Sequence, residues 1–171
     1  MIRPGTRADL DELLALQRAV ADANGTLARA SDELTHDHAA HTVERSLATG
    51  FFLVATDNDA VIGAIDCSAL GPRQFAHVLG ELTIAVHPQH QGQGIGRRLF
   101  ARLLDDVTTQ RPDISRLELM VRGDNLGAQR LYASLGFREE GRLRARVRLP
   151  DGTVVDDVVM AWHRPDASTE P

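Results

Sequence analysis

Between residues 51 and 86 three strand-like runs follow one another with no helical stretch among them, and this order limits the fold more than any single motif. "FFLVAT" (51–56) and "AVIGAIDCSAL" (60–70) flank Asp57-Asn58-Asp59, which predicts two strands joined by a hairpin. "GPRQF" interrupts the pattern before "HVLGELTIAV" (77–86) supplies a third strand. Ahead of this block, Leu10, Leu13, Leu14, Leu16, Ala19 and Val20 form a helical stripe over 9–21. Thr6 and Asp9 offer a capping box at its start, with Asp in place of the usual Glu. A second helix spans 36–48 behind Thr35 and stops at Gly50. Downstream, Ile95, Leu99, Phe100, Leu103, Leu104 and Val107 mark one face of a third helix. "ISRLELMV" (114–121) reads as a strand, and a fourth helix runs from 125 to 134, ended by Gly136. A closing hairpin turns at Asp151-Gly152. With a strand at the N-terminus, the order is strand, two helices, three strands, helix, strand, helix, two strands. Strand and helix do not alternate strictly, which argues against a purely parallel doubly wound sheet. The expectation is an α/β fold whose mixed, mostly antiparallel central sheet of six or seven strands carries helices on both faces.

The chain has 171 residues, which suits one domain, placed at 1–163, with the polar residues 164–171 as a flexible tail. With 24 acidic against 19 basic side chains the net charge is −5, so unguided binding to nucleic acid or to an anionic membrane is not expected. No apolar run approaches the ~20 residues that cross a bilayer, and the N-terminus has no signal-peptide pattern. A single cysteine, Cys67, cannot form an internal disulfide; it reads as a small buried side chain in a cytoplasmic protein.

"HPQHQGQGIGRRLF" (87–100) places three glycines at alternate positions between a strand and a helix. A P-loop fails for want of its lysine. The dinucleotide pattern G-x-G-x-x-G fails because Arg97 stands at its third position. There remains a glycine turn feeding a helix N-terminus, where unpaired amides and the positive end of the dipole suit phosphate oxygens. Arg97 and Arg98 are poor choices for the helix itself, since the dipole disfavours cations there. A bound anion and a plain tight turn both fit this composition.

Gln91-Gly92-Gln93-Gly94-Ile95-Gly96 fills the pattern [Q/R]-x-x-G-x-[G/A], and "NLGAQRLYASLGF" (125–137) supplies Asn125, Ala128, Tyr132 and Gly136-Phe137 of a second pattern about 30 residues on. On these two motifs the chain resembles the GCN5-related N-acetyltransferase (GNAT) superfamily, over residues 1 to 163 and most strongly from 77 to 137. The closing hairpin more loosely resembles the branch that acetylates amino acids and phosphinothricin. The resemblance implies the acyl-CoA N-acyltransferase fold and acetyl-CoA as cosubstrate, with no metal. It implies that Ile84, Ala85 and Val86 offer main-chain groups to the pantetheine arm beside a bulge. It further implies that Gln91, Gly92, Gln93, Gly94, Ile95, Gly96 and Arg97 hold the pyrophosphate, that Asn125 bonds the pantetheine region, and that Tyr132 faces the sulfur. The expected reaction moves an acetyl group to a primary amine by direct attack in a ternary complex. The expected acceptor is a small molecule, an amino acid or related amine. A protein or peptide amine, a non-catalytic acyl-CoA sensor and a dinucleotide oxidoreductase are the rival readings. Homodimers are frequent among such proteins, and the last hairpin has an apolar edge.

Acyl transfer requires a deprotonated amine, a stabilised carbonyl oxygen, a protonated leaving group and held reactants. Tyr132 is the candidate acid. Glu81 is the first candidate base and Glu118 the second, each alternatively a carboxylate paired with an arginine; a water chain with no single base is equally consistent. A cleft is expected between strands 77–86 and 114–121. His36, His38 and His41 are not spaced as a zinc set and read as solvated, with a substrate-side role open for one of them. His87 and His90 read as exposed loop residues. Arg142, Arg144, Arg146 and Arg148 alternate with apolar residues, so period two puts their guanidiniums on one strand face. That face is either solvated, neutralised by Asp156 and Asp157, or a site for a substrate carboxylate. Arg130 is a candidate for the cofactor's 3′-phosphate, and Phe137 and Trp162 are expected in the core.

Overall fold

The computed structural model describes residues 1–24 and 27–165. Seven strands, β1 (Ile2–Pro4), β2 (Phe51–Asp57), β3 (Ala60–Ala69), β4 (Val78–Val86), β5 (Arg116–Arg122), β6 (Arg138–Arg148) and β7 (Val154–His163), form one sheet in the order β1-β2-β3-β4-β5-β7-β6. Only the β4–β5 pairing is parallel. Four helices accompany it: α1 (Leu10–Asn24), α2 (His36–Thr49), α3 (Ile95–Gln110) and α4 (Leu126–Ser134). The mixed sheet expected from the element order is therefore present. Residues 166–171 of the tail expected to be mobile lie outside the described residues.

Strand periodicity decides which core each side chain enters. On β2, Leu53 and Ala55 face the core built by α3 and α4, while Phe52 and Val54 face that of α1 and α2. On β3, Ile65 and Cys67 turn to the α3 side and Ala64 to the α1 side. Both faces of these central strands are covered, which is why they read as near-continuous apolar runs. The larger core closes around Phe100, fully buried and in ring contact with Tyr132 (5.1 Å) and Phe137 (5.8 Å). Truncating Phe100 to Ala would cost about 3–5 kcal/mol by loss of transfer energy plus a cavity. Trp162 and Cys67 are buried as expected.

The start of α1 follows its sequence signal. Asp9 caps the Thr6 amide (2.8 Å) and is gripped by Arg3 of β1 (2.6 and 2.9 Å), which holds its carboxyl down at about 2. Sequence and structure part at two strand irregularities. Between Asp66 and Ser68 the ladder takes two steps on β3 against three on β4, and Glu81 has φ 49°. The β4 bulge is thus at Glu81, not beside Ile84–Val86 as expected. Its location depends on cross-strand register, which the strand's own sequence does not carry. The row of arginines is also interrupted. The β6–β7 register shifts between Leu143 and Val147, with Ala145 at φ 52°, so Arg142, Arg144, Arg146 and Arg148 do not form one unbroken face. Asp156 accepts from the Ala145 amide (2.9 Å), which stabilises the bulge, and its charge also acts on Arg142.

After Val78↔Arg116 and Leu79↔Leu117, β4 and β5 make no further pairs, and β5 continues with β7 through seven. A bulge bends and twists its strand, and here it follows the last β4–β5 pair immediately. The sheet splits where the cleft was expected.

Candidate active site

One side of the split is made largely of main chain. Gly94, at φ 74°, is the N-cap residue of α3 and brings no side-chain bond to the helix end. The first main-chain bond runs from the Arg98 amide to the Gly94 carbonyl (3.0 Å), so the Ile95, Gly96 and Arg97 amides stand ahead of the intrahelical ladder. No acidic residue occupies the first turn. Gly92 is also left-handed, at φ 75°, and a Cβ on either Gly92 or Gly94 would meet no atom within 4 Å. Glycine is demanded here by backbone conformation, and space lies open over the loop. A Cβ on Gly96 would sit 3.7 Å from Ile84 of β4 and from Leu131 of α4, which places the helix start at the mouth of the split. The Gln91 side-chain amide donates to the Val86 carbonyl (3.0 Å), and the Gln93 amide to the Gln89 carbonyl (3.3 Å). Arg97 donates to Ser134 of α4 (2.7 Å). These bonds fix the loop and leave its amides to an outside acceptor. The arrangement fits a diphosphate.

A chamber of about 1090 Å³ is lined by Leu82, Thr83 and Ile84 of β4, by Met120 and Val121 of β5, and by Asn125 and Tyr132. Tyr132 is 7% exposed, and burial pushes its phenol up to about 12, so it keeps its proton at neutral pH. Asn125 has a structural task as well: its Oδ1 accepts from the Ala128 amide (3.2 Å) and caps α4. Arg146 and Arg148 reach the same chamber from β6. Arg146 donates to the Met120 sulfur (3.0 Å) and lies 3.6 Å from Asp157.

Through Thr83, Leu119 and Met120 this chamber joins a second of about 590 Å³, under α1 and α2. Both candidate bases line the second one, and each has the arginine that its alternative reading called for: Arg45 for Glu81 and Arg116 for Glu118 (3.0 Å). Arg116 is itself anchored to Glu140 (2.6 Å), whose carboxyl it holds at about 2. His38 and His41 also reach this chamber, and burial, then the nearby Arg29 charge, lowers the His38 pKa. His36 lies 3.7 Å from Asp11 on the surface instead. Among the described residues no three His, Cys, Asp or Glu side chains could together hold a metal ion. Arg130 is exposed.

The residue that sequence reasoning missed is Asp66. It is 2% exposed on β3, on the α1 face in phase with Ala64, and lines the smaller chamber. Burial, reinforced by the Glu81 charge, pushes its carboxyl up to about 8. The signal was available: Asp66 is the sole charged residue within the apolar run 60–70, and a strand covered on both faces does not carry an acid without cause.

Residues 16–137 match the model of the acetyltransferase (GNAT) family. The ribosomal protein bS18-alanine N-acetyltransferase of Escherichia coli K12 is 40% identical over 87 residues, 49% of this chain and 57% of that protein. The spermidine N(1)-acetyltransferase of Vibrio cholerae is 31% identical over 112 residues, 66% of this chain and 60% of that protein. The chain therefore spans little more than half the length of these curated relatives. Among solved structures, a GNAT-superfamily phosphinothricin acetyltransferase from Sinorhizobium meliloti, crystallised with acetyl-CoA, superposes with a TM-score of 0.86. It is 23% identical and covers 100% of this chain and 92% of that one, a likeness of fold.

Proposed function

Because the chain belongs to the GNAT family of acetyltransferases, we propose that it transfers an acetyl group from acetyl-CoA to a primary amine of a small molecule, by direct attack in a ternary complex. The observation that carries this reading is the start of α3, whose amides are tethered around Gly94 yet capped by no carboxylate. Acetyl-CoA supplies an acetyl group activated as a thioester. Gly92 to Arg97 bind its diphosphate through main-chain amides, which oriented dipoles favour. The main chain of Ile84, Ala85 and Val86, freed by the split from any partner on β5, orients the pantetheine arm together with Asn125. The bulge at Glu81 leaves main-chain donors at hand for charge that collects on the carbonyl oxygen.

Tyr132 holds a proton at its phenol oxygen and gives it to the departing sulfur. Glu81, paired with Arg45 at the chamber wall, takes the amine's proton directly or through water. The smaller chamber, at about 590 Å³, is of a size that suits a small molecule. A peptide amine is the second reading, favoured by the relative that acts on a ribosomal protein alanine. The proposal extends to one catalytic domain over 1–163, acting in the cytoplasm, with homodimers formed along the edge strand β6.

Free-thiol release from acetyl-CoA across a panel of small amines and short peptides tests the assignment. Release with small amines supports it. Release with peptides alone moves the assignment to the second reading, and acetyl-CoA binding without release under any condition leaves only a sensor.

A further inference from the structure

The smaller chamber contains two polar groups that its own architecture leaves unused. Gln17 of α1, 4% exposed, lines it and keeps its Oε1 buried with no hydrogen-bond partner. Asp66, 2% exposed, lines it with no hydrogen bond or ion pair among the described residues. Every other charged group facing Asp66 can be accounted for. On α2, Arg45 is bonded to Glu81 and reaches the Ala69 carbonyl (3.3 Å), while His38 is held towards its neutral form. His41 and Arg29 sit on the exposed rim. On β5, Glu118 is spent on Arg116. What remains is acceptor capacity: one carbonyl oxygen, and two more oxygens once Asp66 ionises. Buried acceptors without partners are costly, and a ligand that brings N–H donors relieves that cost.

Resting on the acetyltransferase reading above, we propose that Asp66 and Gln17 form a subsite for a second, cationic nitrogen of the acceptor, so that the preferred substrate is a diamine or a guanidinium-bearing amine. The placement suits such a molecule. Asp66 lies opposite Thr83 in the β3–β4 ladder, and Thr83 borders both chambers. One nitrogen at the junction and another on Asp66 are thus about one strand spacing apart, ~4.8 Å or somewhat more, within reach of a short aliphatic linker. An ammonium arriving at Asp66 favours the ionised carboxyl and donates to it and to Gln17 at once. A monoamine of the same length fills the space but leaves both acceptors unpaired. Because burial holds the empty carboxyl up at about 8, cation binding releases a proton at neutral pH, and affinity rises from pH 6 to pH 9.

Calorimetric titration of the full chain with 1,4-diaminobutane, 1-aminobutane and 4-amino-1-butanol, with no acetyl donor present, tests the subsite apart from catalysis. The expected result is tighter binding of the diamine by about ten-fold or more, as charge-assisted bonds to a buried carboxylate give. Asp66→Asn, which removes the ionisable carboxyl at constant shape, should abolish that preference and its pH dependence while acetyl-CoA affinity stays unchanged. Gln17→Met should weaken diamine binding several-fold. Equal binding of all three compounds by the unaltered protein, or a preference that survives Asp66→Asn, overturns the subsite. Silence in thiol release with the diamine preference intact would overturn the acetyltransferase reading instead, and leave the subsite standing.

Discussion

The loop at Gly92–Gly96 and the chamber around Asp66 flank the same split in the sheet, and they are made from different materials. The loop offers main-chain amides at a helix start, with glycine side chains removed so that an anion can approach. Its charge is fixed, because peptide dipoles do not titrate. The chamber offers side chains, Asp66, Glu81, Glu118 and Gln17, contributed by four separate elements. Its charge varies with burial, as the raised Asp66 carboxyl shows. The contrast suits the proposed roles: a diphosphate is the same in every turnover, whereas an acceptor amine must be selected and must give up a proton.

If that division is sound, changes on one side should leave the other side's ligand untouched. The largest effect is expected from Asp66→Asn, measured as stability against pH. The folded carboxyl titrates at about 8 against 3.8 for its ordinary value. The folded state therefore binds the proton more tightly, and Asp66 costs stability progressively as pH rises from 3.8 to about 8. Chemical denaturation should find the advantage of Asp66→Asn larger at pH 9 than at pH 5 by on the order of 4 kcal/mol. A pH-independent difference would mean that the carboxyl is solvated, and the contrast would fail on the chamber side. Next comes Tyr132→Phe. Loss of a proton donor should lower turnover about 10²-fold, with acetyl-CoA affinity within about two-fold; unchanged turnover removes the phenol from the reaction.

A smaller effect, confined to the loop side, is expected of Gly94→Val, which forces a β-branched residue to φ 74°. Acetyl-CoA binding should weaken about ten-fold while binding of 1,4-diaminobutane holds. Equal acetyl-CoA affinity in this variant would reduce the loop to a turn. The smallest effect is set by Asn125→Ala, which deletes the cap of α4 and should cost about 1 kcal/mol of stability in thermal melts. A further loss of acetyl-CoA affinity in that variant would show the Asn125 amide bonding the ligand as well as the helix.

The loop was legible because everything it needs is local. Two glycines that take left-handed conformations, a strand before them and a helix after them all lie within residues 77–110, and one short helix holds Tyr132 with Asn125 as its cap. Tyr132 could be named from spacing alone, but its burial and raised phenol pKa come from Phe100 and Phe137, which pack beside it. The chamber was only half legible. Glu81 and Glu118 are legible as acids in strands. Asp66 stands alone inside an apolar run, and no pattern in the sequence marks Gln17. The arginine row misled for a related reason: period two holds only while register holds, and a bulge at Ala145 breaks it.

By itself, then, the order of apolar runs excluded an alternating parallel sheet, and the glycines with their flanking elements specified an anion-seeking helix start. Both are determined over a few residues, by backbone sterics and by periodicity. Where the β4 bulge falls, which arginine each glutamate finds, and that Asp66 and Gln17 end up buried without partners in one chamber were decided only by the tertiary structure. Register and burial are properties of strands and helices once packed, and a carboxyl's affinity for its proton follows from what surrounds it.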